Sequence, residues 1–276
     1  MNGPLLTWPA APSGSPSPQV TVFTITYNQR EKVVRLVGDL AVQTYPATQF
    51  EFVVLDDGGT DGTTKAVQKA ASAVPYPVIV LRSQHEADYL NAKRWNQCIA
   101  AASAATTVLI QVDDVRLRPD FIAQHVKWHH GPELTVVAGA KFEGEVLTWD
   151  LDACRRARLA GTDGGARAFT AWTAVWGASL SYPRALVDAV WEDPYDRPFD
   201  ERMVGWGFHE VEFGCRAARE GARLVYDPAA GAFHQHHAPR HERGRGIDHA
   251  RAVAATSTRN ARYVRDKHRL AALPRW

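Results

Sequence analysis

The sequence predicts an α/β fold: a single Rossmann-like domain with a mostly parallel central sheet and helices on both faces. Strand-like and helix-like segments alternate through the first half of the 276 residues. The strand-like segments are short and mostly apolar, as in parallel strands that are buried on both faces. Because helical connections between parallel strands are right-handed crossovers, this alternation favours a layered helix–sheet–helix architecture.

Sequence periodicity places the elements in chain order. The β-branched residues at 20–26 predict the first strand, and Asn28 is placed to cap a helix over residues 30–42. The same reasoning predicts strands at 50–55, 78–81, 108–112 and 135–141, and helices at 63–73, 87–104, 150–160, 210–220 and 250–270. The carboxyl ends of the parallel strands are expected to form one edge of the sheet, where ligands bind in such folds.

Composition divides the chain into three parts. Residues 1–18 are Pro-rich and uncharged and are expected to form a flexible leader. Residues 19–237 form the predicted domain, whose halves are 19–115 and 116–237. Residues 238–276 contain ten Lys and Arg but three Asp and Glu, so this tail is basic and the rest of the chain is acidic. An acidic body argues against a nucleic-acid-binding protein and fits a site that handles a small anion with help from the tail.

Cellular location is predicted from what the sequence lacks. The three cysteines form no CxxC motif, and no apolar run reaches the roughly 18 residues that would span a bilayer. The amino terminus has neither the basic start nor the continuous apolar stretch of a signal peptide. We therefore expect a cytoplasmic protein without disulfides or a transmembrane segment.

Two acidic pairs follow predicted strands directly. Asp56 and Asp57 precede Gly-Gly, so they are either ligands for a base or ribose or ordinary turn formers. Asp113 and Asp114 end an apolar strand, where carboxylates are costly unless they are solvated or bind a cation. The second pair is therefore a candidate site for a divalent metal, with an exposed acid pair as the alternative.

Two glutamates at the start of the predicted helix 210–220 have different expected roles. Glu210 and Glu212 lie about 200° apart on a helix and cannot face one pocket. Glu212 precedes Arg216 by four residues, which favours a structural ion pair. Glu210 is therefore the candidate general base.

Histidine and tryptophan residues supply further candidates. His234, His236 and His237 are candidate metal ligands, with a surface cluster as the alternative. Trp172, Trp176 and Trp206 suit stacking on sugar rings, although tryptophan is more often part of the core.

Five motifs in order resemble family-2 glycosyltransferases of the GT-A fold. They read V-x-I-T-Y-N, V-V-L-D-D-G-G-T-D-G-T, A-K-R-W-N-Q-C-I-A-A-A, L-I-Q-V-D-D-V-R-L-R-P-D-F and F-D-E-R-M-V-G-W-G-F-H-E-V-E-F-G-C-R-A. The last motif is most similar to the C-terminal half of galactosyl- and N-acetylhexosaminyl-transferases. The resemblance covers about residues 19–237.

The resemblance implies that the first half binds a nucleotide-sugar donor and the second half an acceptor. It further implies a divalent cofactor, Mn²⁺ or Mg²⁺, on the diphosphate. The implied site residues are Thr26, Asn28, Asp56, Asp57, Arg94 and Asp113 for the donor, Asp114 and His234 (or His236) for the metal, Glu210 for catalysis, and Trp176, Trp206 and His209 for the acceptor.

The chain departs from the family pattern at three places. Val112 stands where the first acid of the D-x-D motif contacts ribose, and His209 replaces the first acid of the family's E-D pair. The G-G-N loop reads Gly177-Ala178-Ser179. These departures affect metal dependence and acceptor handling more than the donor fold.

The leading hypothesis is an inverting, metal-dependent transfer from a UDP-sugar to a hydroxyl acceptor. Acceptor specificity is expected in residues 143–182, and a small molecule, an oligosaccharide or a peptide fits the lack of a membrane segment. A retaining outcome stays open because it uses much the same motifs. A second hypothesis, motivated by Val112 and His209, is a nucleotide-sugar-binding module that has lost transfer. A nucleotidyltransferase is disfavoured because residues 27–30 contain no glycine.

Overall fold

A computed structural model gives the architecture of the chain. It describes residues 6–8, 19–86, 89–143, 146–147, 167–169, 172, 175, 177–191, 197–235 and 246–270. The strands are β1 (Leu6–Trp8), β2 (Val20–Thr26), β3 (Phe50–Asp56), β4 (Val78–Arg82), β5 (Val108–Val112), β6 (Val115–Arg116), β7 (Thr135–Glu143), β8 (Val146–Leu147), β9 (Arg167–Phe169), β10 (Ser179–Pro183) and β11 (Arg223–His234). The α-helices are α1 (Arg30–Ala41), α2 (Thr63–Ala71), α3 (Asn91–Ala101), α4 (Phe121–Val126), α5 (Arg184–Ala189), α6 (His209–Arg219) and α7 (Gly246–Lys267).

The strands form one large sheet in the order β1-β4-β3-β2-β5-β10-β7-β11-β6. Strands β4, β3, β2 and β5 are mutually parallel, as the alternation of the first half predicts. The second half adds β10, which runs antiparallel to both β5 and β7, and β11, which runs parallel to β7. The predicted α/β class is confirmed, and the parallel part aligns the carboxyl ends of β2, β3 and β5.

Helices cover both faces of this sheet because neighbouring strand residues point to opposite sides. On one face Val22 belongs to a buried cluster with Leu36 of α1 and Val67 of α2. On the other face Phe23 packs in a cluster with Trp95 of α3. Both clusters are almost fully buried, so the strands are fixed from two sides and the polar residues at their ends are held in place.

The amino-terminal segment adds one strand that its composition does not predict. Residues 6–8 form β1 and pair antiparallel with β4, from Leu6 opposite Val80 to Trp8 opposite Val78. The flexible leader expected for residues 1–18 therefore needs correction at these three residues. The physical reason is that the edge strand β4 offers unpaired backbone groups, which favour pairing with another extended segment. The predicted helix at 150–160 lies outside the described residues.

A buried cluster of charges joins α6 to the carboxyl-terminal helix α7. Glu212 accepts hydrogen bonds from Arg216 Nη2 at 2.6 Å, which confirms the predicted pair one turn apart. Lys267 Nζ lies 2.8 Å from Glu212 Oε1, and His268 Nε2 lies 3.0 Å from the same oxygen. Burial alone raises the pKa of Glu212, but the hydrogen bond from His268 and the charge of Arg216 outweigh it and lower the pKa to about 2.

Glu212→Gln is expected to lower the free energy of unfolding at pH 7 by about 3–5 kcal/mol, because it leaves buried cations without their counter-charge. Urea denaturation measures this change. Glu220→Gln is the control, since Glu220 is exposed at the end of the same helix and its loss is expected to change stability by less than about 0.5 kcal/mol. Equal effects of the two substitutions contradict a supporting role for this cluster. Because the pKa of Glu212 is lowered, its contribution is present above the unfolded value near 4.5 and fades as the pH falls towards 2.

Candidate active site

Polar residues converge where β2, β3 and β5 end. The N–H of Asp57 donates to the carbonyl of Thr26 at 2.8 Å, which joins the ends of β2 and β3. A narrow recess beside these ends is lined by Thr26, Lys32, Asp113 and Asp114, among others. The predicted donor residues Thr26 and Asp113 and the predicted metal ligand Asp114 therefore share one recess.

Asp56 has the structural role that its turn-like sequence allows. Its carboxylate is buried and accepts hydrogen bonds from the Gly59 N–H at 2.7 Å, from Thr64 Oγ1 at 2.5 Å and from Arg82 Nη1 at 2.8 Å. Both oxygens are thus used within the turn that leads into α2. Donor binding by Asp56 stays a prediction. Its hydrogen bonds show that Asp56 stabilises the turn after β3.

Asp57 is more accessible and is held from both sides. Arg94 Nε donates to Asp57 Oδ1 at 2.6 Å, and His85 Nδ1 lies 3.1 Å from Asp57 Oδ2. Arg94 is buried and also donates to the carbonyl of Gln84 at 2.9 Å. The two predicted donor residues Asp57 and Arg94 are therefore one unit, in which a buried guanidinium orients a partly exposed carboxylate.

The loop after β2 places an aromatic ring next to this unit. Tyr27 and His85 stack with their ring centroids 3.9 Å apart and an interplanar angle of 9°. Asn28 adopts a left-handed backbone with φ 51°, a conformation that asparagine tolerates better than most residues. Its Oδ1 accepts the Thr60 N–H at 2.7 Å, so Asn28 ties the loops after β2 and β3 together.

Asp114 and His234, the two metal ligands that the family resemblance implies, lie close together, and their metal role stays a prediction. His234 Nε2 is 3.2 Å from Asp114 Oδ1. Lys32 Nζ is 2.7 Å from the other carboxylate oxygen, Asp114 Oδ2. Burial opposes ionisation of Asp114, but hydrogen bonds from His234 and Lys32 outweigh it and hold the pKa of this carboxyl well below its usual range. His236, the alternative ligand, lies outside the described residues.

Glu210 faces Asp113 across the loop that contains Gly177. A side chain at Gly177 would place its Cβ 2.5 Å from Glu210 Oε1, which is too close, and 3.4 Å from Asp113 Oδ2, so both carboxylates lie next to this glycine. Gln111 Nε2 lies 3.4 Å from Glu210 Oε1, and the Gly177 N–H also donates to the Glu210 carboxylate. The candidate base thus lies next to the end of β5, beside the predicted donor site.

Burial raises the pKa of Glu210 to about 7, and the negative charge of Asp113 adds to the increase. The hydrogen bonds from Gln111 and Gly177 act in the opposite direction but are outweighed. A carboxyl group with a pKa near neutrality is able both to accept a proton and to release it close to working pH.

The predicted acceptor residues have different surroundings. His209 is buried, its Nε2 lies 3.0 Å from the carbonyl of Met203, and burial lowers its pKa to about 4. It also packs edge-on against Trp95, so it belongs to the protein interior. Trp206 is exposed, whereas Trp172 is partly buried against the core. Trp176 lies outside the described residues, and the acceptor roles of all these residues stay predictions.

Helix α7 holds the loop that leads to Glu210. The Trp206 N–H donates to Thr256 Oγ1 at 3.1 Å, and Asn260 Nδ2 donates to the carbonyl of Gly207 at 3.1 Å. Gly205 has φ 88°, and a Cβ at this position would lie 2.4 Å from Thr256 Cβ. The loop therefore needs glycine for both its backbone conformation and its close contact with the helix.

Sequence reasoning did not find Lys32, His85 or the contact of Gly177 with Glu210. Lys32 contacts a residue 82 positions away, and Gly177 precedes Glu210 by 33 positions. No spacing rule reaches across such distances. Tyr27 lies between Thr26 and Asn28 in the T-Y-N motif, so its aromatic side chain at this position is the sequence feature that could have indicated it.

A cavity of about 420 Å³ lies at the opposite edge of the sheet, near the first residues of β2 and β5. Its lining includes Gln19, Tyr45, Thr107 and His129. None of the predicted site residues contributes to it. Because ligands in this class of fold bind beyond the carboxyl ends of the strands, this cavity is not the candidate active site.

Comparison with known proteins decides the family. The family model described as glycosyl transferase family 2 matches residues 21–191. The chain belongs to glycosyl transferase family 2. The matched range contains all but the first residue of β2, the whole of β3 to β5 and both acidic pairs, whereas Glu210 and His234 lie beyond it.

Curated relatives of this family-2 glycosyltransferase include two kinds of transferase. Validoxylamine A glucosyltransferase of Streptomyces hygroscopicus subsp. jinggangensis is 26% identical over 251 residues, which cover 82% of this chain and 57% of the relative. Poly(ribitol-phosphate) beta-N-acetylglucosaminyltransferase TarS of Staphylococcus aureus is 43% identical over 49 residues, which cover 18% of this chain and 9% of TarS. The chain spans about half the length of the glucosyltransferases that it matches.

Solved structures confirm the GT-A fold. The mannosyltransferase PcManGT from Pyrobaculum calidifontis, in complex with GDP-Man and Mn²⁺, has a TM-score of 0.61 at 21% identity and covers 90% of this chain and 64% of PcManGT. The structure of residues 1–349 of S. aureus TarS in complex with UDP-GlcNAc aligns with a TM-score of 0.60 at 16% identity. The alignment covers 90% of this chain and 71% of the TarS chain. Among the described residues, no helix has the length and apolar character needed to cross a membrane.

Glu210→Gln is expected to stabilise the protein above pH 7. The folded state holds a proton on Glu210 up to about pH 7, whereas the unfolded chain releases it near 4.5, so stability falls between these values in the parent protein. The stability of the glutamine variant does not fall in this way. The difference in the free energy of unfolding between the variant and the parent protein is therefore expected to grow by up to about 3 kcal/mol between pH 4.5 and 8. Urea denaturation at several pH values measures it, with Glu220→Gln as the control. An advantage that is the same at pH 5 and pH 8 contradicts the raised pKa.

Proposed function

We propose that this chain transfers a sugar from a UDP-sugar to a hydroxyl acceptor with inversion, using Glu210 as the general base. The observation that carries the proposal is the position of Glu210: a carboxyl group with a pKa of about 7 that lies beside Asp113, at the end of β5. Membership in glycosyl transferase family 2 supports the reaction class.

Glu210 has the chemistry that an attacking hydroxyl needs. In its ionised form the carboxylate accepts the proton of the acceptor hydroxyl as the oxygen bonds to the anomeric carbon. The bond from that carbon to the diphosphate breaks on the opposite side, so a single displacement inverts the anomeric centre. Hydrogen bonds from the Gly177 N–H and from Gln111 hold the carboxylate in one orientation, which fixes the direction from which it accepts the proton.

The donor is assigned to the edge formed by β2, β3 and β5. Asp57, oriented by Arg94, supplies a carboxylate for a base N–H or a ribose hydroxyl, and Tyr27 supplies an aromatic face for the base. Thr26 contributes to the lining of the recess that contains Asp113 and Asp114, and its buried Oγ1 has no hydrogen-bond partner among the residues that the structure describes. TarS, which is known in complex with UDP-GlcNAc, is the precedent for a UDP-sugar, and PcManGT, which is known with GDP-Man, is the precedent for the alternative nucleotide.

A divalent metal fits the residues that follow β5 and end β11, where two side chains would hold it. Asp114 and His234 supply a carboxylate and an imidazole, donors that suit Mn²⁺. Within the described ranges no group of three His, Cys, Asp or Glu side chains is placed to hold a metal ion, so Asp114 and His234 are the two side chains that would hold it. When bound, the metal neutralises charge on the leaving diphosphate. PcManGT, which is known with Mn²⁺, is the precedent for such a metal.

The acceptor is assigned to the region of Glu210 and of the 200–208 loop that precedes it in the chain. The exposed Trp206 ring offers a surface for a sugar or another flat apolar group. His209, by contrast, is directed at Met203 and supports the loop from within. Small molecules, oligosaccharides and peptides all remain in the proposed acceptor class.

Glu210→Gln is expected to lower kcat by 10²–10⁴-fold, because the amide cannot accept the hydroxyl proton. A panel of UDP-sugars with Mn²⁺, assayed for transfer to simple acceptors and for hydrolysis by UDP release, measures the rate. Calorimetry with UDP is the matched control, since Glu210 is not assigned to the nucleotide and the Kd is expected to stay within about twofold. If the variant and the parent protein have the same kcat, the role of Glu210 as the general base is contradicted. UDP binding by the parent chain with neither transfer nor hydrolysis across the panel favours the binding-module hypothesis.

Gly177→Ala is expected to lower kcat by at least tenfold while the fold is retained. The new Cβ would overlap Glu210 Oε1, so the carboxylate must move from its position. Gly38→Ala is the control, because nothing lies within 4 Å of a Cβ there and alanine suits the interior of α1. Circular dichroism checks the fold of both variants. An unchanged kcat in Gly177→Ala contradicts the conclusion that the Glu210 carboxylate must lie close to the backbone at position 177.

A further inference from the structure

Lys32 occupies part of the site assigned to the metal. Its Nζ lies 2.7 Å from Asp114 Oδ2 and 3.2 Å from the carbonyl oxygen of Gln235. His234 lies against the other carboxylate oxygen of Asp114 at 3.2 Å. Both oxygens of the candidate metal ligand are therefore engaged by side chains of the protein itself.

The position of Lys32 is built into the fold. Lys32 is the third residue of α1, and its neighbour Val33 anchors this turn in the core. Gln235 Nε2 donates to the carbonyl of Val115 at 3.0 Å and to that of Lys32 at 3.3 Å, while the Gln235 N–H donates to the carbonyl of Asp114 at 2.9 Å. The start of α1 and the ends of β5 and β11 are thus linked around one ion pair.

This ion pair is protected from solvent. The exposed fraction is 16% for the Lys32 side chain and 17% for the Asp114 side chain. Salt screens partly buried pairs much less than exposed ones, so the ammonium group is an effective competitor for the carboxylate. A divalent ion that is to bind Asp114 Oδ2 must first displace Lys32.

We propose that Lys32 is a resident counter-cation that keeps divalent metal affinity low until the donor is present. The inference rests on the proposed metal role of Asp114 and His234. The donor's diphosphate offers the displaced ammonium a new anionic partner, and lysine is a common ligand of phosphate groups. Nucleotide and metal therefore bind together more tightly than either binds alone, which is a coupling between two ligands of one site.

Mn²⁺ binding, followed by the loss of the electron paramagnetic resonance signal of the free ion, tests the proposal without an activity assay. Lys32→Met keeps the aliphatic stem and removes the charge, and it is expected to tighten Mn²⁺ binding at least tenfold in the absence of nucleotide. Lys32→Arg keeps the charge and is expected to bind Mn²⁺ as weakly as the parent chain. Lys69→Gln, an exposed lysine on α2, controls for the loss of one positive charge elsewhere. With UDP present, the difference between Lys32→Met and the parent chain is expected to shrink.

Unchanged or weaker Mn²⁺ binding by Lys32→Met overturns the proposal, as does an equal gain in Lys69→Gln. Lys32→Gln, measured beside it, provides a second neutral variant if the methionine form does not fold, and thermal unfolding identifies that case. Asp114→Asn separates this inference from the proposed function. If Asp114→Asn abolishes Mn²⁺ binding and Lys32→Met leaves it unchanged, the proposed role of Lys32 is wrong but the proposed metal site is not affected. An absence of Mn²⁺ binding in every variant, with and without UDP, removes the metal site and this inference together.

Discussion

Carboxylates crowded at the ends of parallel strands are the constraint on which this site depends. Asp57, Asp113, Asp114 and Glu210 all lie at or near the edge formed by β2, β3 and β5, where burial makes negative charge costly. The fold balances each one differently. Arg94 compensates Asp57, and Lys32 with His234 compensates Asp114, whereas Glu210 is crowded by Asp113 and its pKa rises to about 7. The site therefore pairs Asp57 and Asp114 with basic side chains and leaves Glu210 beside a second carboxylate.

The second half of the chain provides the rigidity that such crowding requires. Glu210 and Glu212 are close in sequence but have opposite environments: Glu212 is compensated by cations from α6 and α7, and its pKa falls to about 2. That compensated pair fixes α6 and, with it, the turn that carries Glu210. Helix α7 also holds the loop before Glu210 through Thr256 and Asn260. The helical part of the basic tail thus supports the loop that leads to Glu210.

The sequence predicted what depends on local pattern. The alternation of elements placed β2 to β5 within a residue or two, and the position of Asp113 and Asp114 after a strand predicted that they lie at the ligand-binding edge of the sheet. Thr26, which lines the same recess, was implied by the family resemblance. The sequence did not separate Asp56 from Asp57, because which acid turns inward depends on contacts with Thr64 and Arg82. It also missed Lys32, whose partner is 82 residues away. Long-range contacts between elements decide these roles, and spacing carries no information about them.

Val112 shows how the core limits the donor site. The residue pairs with Ser179 of β10, and its side chain is fully buried in the cluster that contains Val22 and Leu36. An acid at this position would have to ionise inside an apolar cluster, so the valine stabilises the sheet where the family's D-x-D pattern has its first acid. Under the proposed function, a contact with ribose then comes from Asp57 after β3 or from Asp113 after β5, and not from position 112. Asp113, which is more exposed and lies next to Glu210, is the nearest carboxylate along the chain.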